Sequence, residues 1–215
     1  MRKALLAAAA LSLAGCRGEV PLRNAPPEQA ISAILIGGRM ILHSGETRDG
    51  RLEIGFETDG GKGEVYRVPV SADENDLYLV EPGSYRLAPT RTLFGSYKPT
   101  LTVVVDGRTY HPPFPRELMS LGPYQVIPSK VLALGELVVT VMPALPGRRP
   151  EVRVTLDDGV AARRELVQGM IHDMMDPNRP KAVRDSAIAW SRSLQNELMK
   201  ILSEQDEHPL YTPAP

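Results

Sequence analysis

The sequence predicts a mainly β fold: an antiparallel β-sandwich followed by a C-terminal α-helical hairpin. Three observations predict it. About nine short β-branched segments lie between Ala30 and Leu156, separated by turn-forming residues and showing no helical period. The chain holds 20 prolines and 18 glycines among 215 residues, enough to punctuate that many strands. After Asp157-Asp158 the apolar residues recur at helical spacing instead.

The chain opens with a different kind of segment. Arg2 and Lys3 precede a run from Leu5 to Leu13 that is apolar apart from Ser12, and the small residues Ala14 and Gly15 come before Cys16. A basic start, a short apolar run and small residues are the layout of a secretory signal peptide. The run is shorter than the roughly 20 residues that span a bilayer. It also lacks the polar face of a helix packed at a protein surface.

Leu13-Ala14-Gly15-Cys16 resembles the lipobox of bacterial lipoproteins in order, spacing and position. The resemblance implies that residues 1–15 are removed and that Cys16 receives a diacylglyceryl thioether, with its new amine acylated as well. Each buried methylene contributes about 0.8 kcal/mol, so one acyl chain holds marginally and two or more hold firmly. Cys16 is the only cysteine in the chain. With it lipidated, no thiol remains for a disulfide, redox chemistry or a thiolate metal site. Arg17 stands where lipoproteins kept at the inner membrane of enteric bacteria often carry Asp. That points to the bacterial outer membrane, with the domain facing the periplasm.

The expected plan is a signal peptide at 1–15, the lipidated cysteine and a flexible tether at 16–29, a β-sandwich at 30–157, a helical hairpin packed on it at 158–204 and a loose tail at 205–215. The tether "RGEVPLRNAPPEQ" is polar and carries Pro21, Pro26 and Pro27. Of the chain's 25 basic residues, Arg2 and Lys3 leave with the signal, which sets 23 against 26 acidic residues. That balance, without a polybasic run, gives no reason to expect nucleic acid. Two hundred residues are enough to bury a sizeable core.

The strands follow in order. "AISAILIG" is apolar and β-branched, Gly37-Gly38 reads as a turn, and "RMILHS" follows it. In "RLEIGFET" Leu52, Ile54 and Phe56 share one face, with Arg51, Glu53 and Glu57 on the other. In "EVYRVPV" Tyr66, Val68 and Val70 oppose Val65, Arg67 and Pro69, and Pro69 belongs on an edge because it has no N–H. "DLYLV" leads into Pro82-Gly83, and "SYRLA" leads out. "TLTVVVDGRTY" contains Asp106-Gly107, a short-hairpin signal. "YQVI", "VLALGELVVTVM" and "EVRVTL" complete the set.

Strand, Pro-Gly, then polar-Tyr-x-Leu in "LVEPGSYRL" resembles the hairpin of transthyretin-like domains, which occur in carboxypeptidase regulatory-like modules and in bacterial lipoproteins. "VIPSKVLALGELVVTV" is similar to a second element of such lipoproteins, a strand entered through Gly-Glu. The resemblance implies a transthyretin-like or immunoglobulin-like sandwich. Pro82 would preset φ at the second turn position and Gly83 would take a positive φ at the third. Extra strands and a helical tail depart from the small members of that group.

Two helices close the chain. Gly159 to Met175 carries Val160, Val167, Met170, Ile171 and Met174 along one side, and "DPNRP" stops it. From about Lys181 to Ser203, Val183, Ala187, Trp190, Leu194, Leu198 and Ile201 form one apolar stripe, with Arg184, Arg192, Gln195, Glu197 and Lys200 opposite. The stripe, with Trp190 and Leu194 at its middle, is either a packing surface against the sandwich or a docking surface for a partner.

Catalytic patterns are absent from the sequence. Ser84 lacks the G-x-S-x-G context, and His43, His111, His172 and His208 belong to no zinc motif. His172 and Asp176 in "HDMMD" supply two ligands where a metal needs three or four. Asp73, Glu74 and Asp76 lack the glycine and distal glutamate of a helical calcium loop. "TDGGKGE" is not a phosphate-binding loop, and Arg163, Arg164 and Glu165 read as a solvated helix face. No catalytic residue, cofactor or metal is expected. The expected role is that of a membrane-anchored cell-envelope lipoprotein with a structural or protein-binding function, as an accessory of an envelope or secretion assembly. A lipid-anchored hydrolase, with His43, Glu53, Glu57 and His111 as its polar candidates, and a periplasmic small-ligand carrier are the alternatives.

Overall fold

The computed structural model describes residues 32–59, 65–71, 77–91, 97–144, 146–147, 150–178 and 181–207. Cys16, the signal segment and the tether lie outside these residues, as do Asp73, Glu74, Asp76, His208 and most of "TDGGKGE". The elements are β1 (Ser32–Leu42), β2 (Gly50–Thr58), β3 (Val65–Ser71), β4 (Leu77–Val80), β5 (Gly83–Leu87), β6 (Thr90–Arg91), β7 (Tyr97–Lys98), β8 (Thr102–Val105), β9 (Arg108–Tyr110), α1 (Arg116–Ser120), β10 (Tyr124–Val126), β11 (Val131–Val141), β12 (Val152–Asp157), α2 (Val160–Met175) and α3 (Lys181–Glu207).

The strands form two main sheets. One has the order β12-β11-β1-β4; the other runs β10-β5-β2-β8-β9, with β3 also paired to β2. The fold is mainly β, a two-sheet sandwich with helices at its C-terminal end. All pairings are antiparallel except β1 with β11, which run parallel.

The order of layers follows from where the apolar residues point. Ile34, Ile36 and Met40 of β1 meet Leu52, Ile54 and Phe56 of β2 in the core between the sheets. Ala33 and Leu35, the alternate residues of β1, join a second core with Leu166, Val167, Met170, Met174, Trp190, Leu194 and Ile201. The β1 sheet is therefore covered on both faces, one by the other sheet and one by the α2–α3 hairpin. That is why "AILI" is continuously apolar while β2 and β3, covered on one face, alternate cleanly.

A bulge in β11 sets the register of the covered sheet. Leu35 pairs with Ala133 and Ile36 with Gly135, so Leu134 is the extra residue. Val131 and Ala133 face the helices, whereas Leu134, Leu137 and Val139 face the other sheet. Gly135 makes this possible at φ +114°, where a Cβ would stand 2.2 Å from the Asp157 carbonyl oxygen.

Several expectations are corrected. Gly37-Gly38 is no turn: β1 runs straight through it. Gly38 is needed for close approach instead, because a Cβ there would sit 2.7 Å from Val70 Cγ1. Pro82-Gly83 is not a hairpin turn either. β4 pairs with β1 in one sheet and β5 with β2 and β10 in the other, so the chain crosses between sheets there. Gly83 does not adopt a positive φ; among the described residues the glycines that do are Gly45, Gly107, Gly135 and Gly147. A short helix, α1, interrupts the strand region, where no helix was expected. Asp106-Gly107 does form the β8–β9 hairpin, with φ 50° and 70°. Pro69 does sit on an edge strand, β3.

Candidate functional site

Trp190 and Leu194 are 0% and 1% exposed, packed between α2, α3 and the β1 sheet. The described part of the stripe thus faces protein. Trp190 Nε1 has no hydrogen-bond partner among the described residues.

The polar residues singled out from the sequence do not converge. His43 ends its strand region and His111 follows β9, both exposed. Glu53 pairs with Arg67 at 2.8 Å and Glu57 with Arg86 at 2.6 Å on the outer face of their sheet. His172 is exposed on α2, whereas Asp176 lies just past its end and accepts the Asn178 N–H at 2.8 Å. No group of three or more His, Cys, Asp or Glu arranged to hold a metal occurs among the described residues. Glu151, on the exposed approach to β12, is held below the usual carboxylate range by its hydrogen bond to Arg153 and by that residue's charge.

Among the described residues, a concave surface lies between β10, the start of β11 and the C-terminal half of α3. Two adjoining hollows share Gln125, Leu132 and Lys200. The larger, about 440 Å³, is floored by Leu121, Tyr124, Leu132 and Leu134 and edged by Asp158, Arg163 and Glu204. The smaller, about 210 Å³, runs past Ile127, Lys130, Ser193, Asn196 and Glu197. Together they form one trough with an apolar floor and a charged wall.

Each lining group is fixed by a local cause. Tyr124 is buried: its ring stands edge-on to Phe56 at 5.5 Å and its hydroxyl donates to the Leu118 carbonyl. Burial pushes its phenol well above the ordinary tyrosine range, so it stays a neutral donor. Gln125 points outward and donates to Ser84 Oγ at 3.0 Å. The Ser193 hydroxyl donates to the Ser129 carbonyl at 2.7 Å and so pins α3 to the loop before β11. At the far end, Arg163 donates to the Asp158 carbonyl at 2.9 Å and pairs with Glu204, which ties α2 to α3.

Glu197 is the notable correction in this wall. The sequence pattern puts it opposite the apolar stripe of α3, yet it is only 7% exposed. Its Oε1 accepts the Ala133 N–H at 3.5 Å and lies 3.5 Å from Lys200 Nζ. The signal for this was legible: Trp190, Leu194, Glu197 and Ile201 are spaced four, three and four, so the acid occupies a core-facing position. Arg163 likewise reads as part of a solvated face but is largely covered by its pairing with Glu204, and nothing in the sequence marks Tyr124 as a lining residue.

Chemically, the trough joins an apolar floor to a wall of paired charges, which suits binding. No histidine lines it, and its one lining serine spends its hydroxyl on a backbone carbonyl. No family model and no curated protein matches the chain. Among solved structures, the dioxygenase domain of a dioxygenase and carbohydrate-binding protein fusion from Streptomyces sp. SirexAA-E is similar at 18% identity and a TM-score of 0.23. The similarity covers 59% of this chain and 80% of that one.

Proposed function

We propose that this chain is an exported lipoprotein of the bacterial envelope, anchored through Cys16 to the outer membrane and carrying a non-enzymatic, protein-binding domain toward the periplasm. The observation that carries this reading is the order Leu13-Ala14-Gly15-Cys16 behind a basic, then apolar, leader. No described helix is long and apolar enough to cross a membrane. A protein held by acyl chains needs none. The trough beside α3 is the surface on which the domain would take a partner, since it joins apolar area to charges that fix orientation. Its volume also supports a second reading, a carrier of a small amphipathic ligand.

The anchor is tested by Cys16→Ser. That variant should lose palmitate labelling and accumulate as uncleaved or misrouted protein; equal labelling of both chains ends the lipoprotein reading. The trough is tested by Lys200→Glu. A partner cross-linked in intact envelopes should be lost from this variant while its lipid labelling persists, and an unchanged cross-link pattern removes the trough from the proposal.

A further inference from the structure

We propose that the trough takes an extended peptide segment of a partner protein, which adds as a strand to the open edge of β11 at residues 131–134. This deepens the protein-binding reading of the trough and rests on it, but not on the anchor at Cys16.

β11 is paired on both sides along only part of its length. β1 follows it from Val131 to Val141, whereas β12 pairs with it only from Glu136 onward, opposite Asp157. Past Asp157 the chain leaves the sheet for α2. Among the described residues, no strand pairs with 131–134 on that side. The main chain there has a definite facing. The Lys130 carbonyl accepts the Ala33 N–H, so the polar groups of Lys130 and Leu132 turn toward β1 and those of Val131 and Ala133 turn away. Val131 lines the smaller hollow and Ala133 the larger. β10, the last strand of the other sheet, flanks the same space, with Gln125 lining both hollows.

Glu197 holds the place of the added strand. Its Oε1 accepts the Ala133 N–H at 3.5 Å, where a strand carbonyl would stand at about 2.9 Å. A charge set against a free edge keeps that edge from pairing indiscriminately. The bond is long enough to exchange, and Lys200 Nζ, on a side chain 56% exposed, lies 3.5 Å from the same oxygen. An incoming peptide carbonyl takes the Ala133 N–H, and Glu197 keeps Lys200.

The surroundings select the peptide. An added strand lies in the plane of its sheet and sends alternate side chains to opposite sides. One side is the apolar floor of Leu121, Tyr124 and Leu134; the other is the wall of α3, with Glu197, Lys200 and Glu204. The segment therefore alternates apolar and polar residues. One of the polar residues is basic, because Glu197 is only 7% exposed and loses the Ala133 amide on displacement, and a buried carboxylate needs a cation. A helix would match neither this period nor the open edge.

The test uses the full chain, purified in detergent, and a fluorescein-labelled heptapeptide that alternates valine with threonine and carries lysine at its centre. Saturable binding is expected by fluorescence anisotropy. The peptide backbone is then N-methylated at every second residue, in two complementary patterns. On a strand bound by one edge, one pattern aims its methyl groups at β11 and the other at solvent. One pattern should bind within about twofold of the parent and the other about tenfold or more weakly. Leu121→Lys, at a residue 41% exposed, should weaken the parent peptide about tenfold or more. Replacing the peptide lysine by threonine should weaken binding about threefold or more in wild type and leave it unchanged in Glu197→Gln, whose amide oxygen still accepts the Ala133 N–H. Absence of binding, an equal response to both methylation patterns or full affinity in Leu121→Lys overturns the added strand. Displacement of the label by a synthetic peptide of residues 17–31 assigns the edge to the chain's own tether and overturns the partner. If no peptide binds while Lys200→Glu still loses its envelope cross-link, the added strand falls and the trough stands as a docking surface for a folded partner. If the cross-link persists as well, the protein-binding reading of the trough falls with it.

Discussion

The hydroxyl of Tyr78, on the edge strand β4 of one sheet, donates to the carbonyl of Pro69, on the edge strand β3 of the other. The two residues close one side of the sandwich. Pro69 has no N–H to give, so its place on an edge costs no ladder bond. Its carbonyl becomes the acceptor that joins the sheets. Tyr78→Phe keeps the buried ring and removes this bond. Its expected cost is about 1 kcal/mol, read as a lower denaturant midpoint at unchanged slope. A midpoint equal to wild type would remove this bond from the account of stability.

Two glycines separate positional need from mere flexibility. Gly135 sits at φ +114°, with the Asp157 oxygen 2.2 Å from where a Cβ would lie. Gly135→Ala should therefore cost more than about 2 kcal/mol, because it combines strain with displacement of β12. At Gly83 a Cβ would meet only Tyr85, at an ordinary 3.8 Å. Gly83→Ala should stay within about 0.5 kcal/mol of wild type. Equal effects of the two substitutions would contradict the bulge in β11.

Trp190 is the only tryptophan in the chain, so fluorescence reports on it directly. Fully buried among helix and sheet residues, it should emit at short wavelength and resist a soluble quencher. Trp190→Ala should cost about 3–5 kcal/mol through the cavity it leaves. That is a large share of a typical stability of about 5–15 kcal/mol. A red, freely quenched emission from the folded chain would place this residue on a docking surface instead.

Tyr124 gives a pH dependence with a definite sign. Burial raises its folded-state pKa above the ordinary value of 10.0. The unfolded chain loses this proton near pH 10 while the folded domain retains it. The contribution of Tyr124 is therefore complete below about pH 10 and declines as pH rises beyond it. Denaturant midpoints should fall across that range more steeply for wild type than for Tyr124→Phe. Parallel profiles would show that the phenol ionises as freely in the fold as outside it.

The sequence by itself determined the local patterns. Alternation in β2 and β3 revealed which residues point inward, because a strand covered on one face must alternate. Asp106-Gly107 specified its hairpin, because a two-residue loop of that twist needs positive φ twice. The change to a 3.6-residue period announced α2 and α3, and their apolar stripe required a surface to cover. Tertiary structure alone decided what the glycines and prolines punctuate. Gly38 looks like a turn residue in sequence and Gly135 like part of a strand entry, but both serve close approach between strands, a need set by neighbours far along the chain. Pro82-Gly83 reads as a hairpin because sequence does not show which sheet the next strand will join. The trough was hidden for the same reason. Tyr124, Leu132 and Arg163 lie on three different elements and Glu197 and Glu204 on a fourth, and only the packing of α3 beside β11 brings them to one surface.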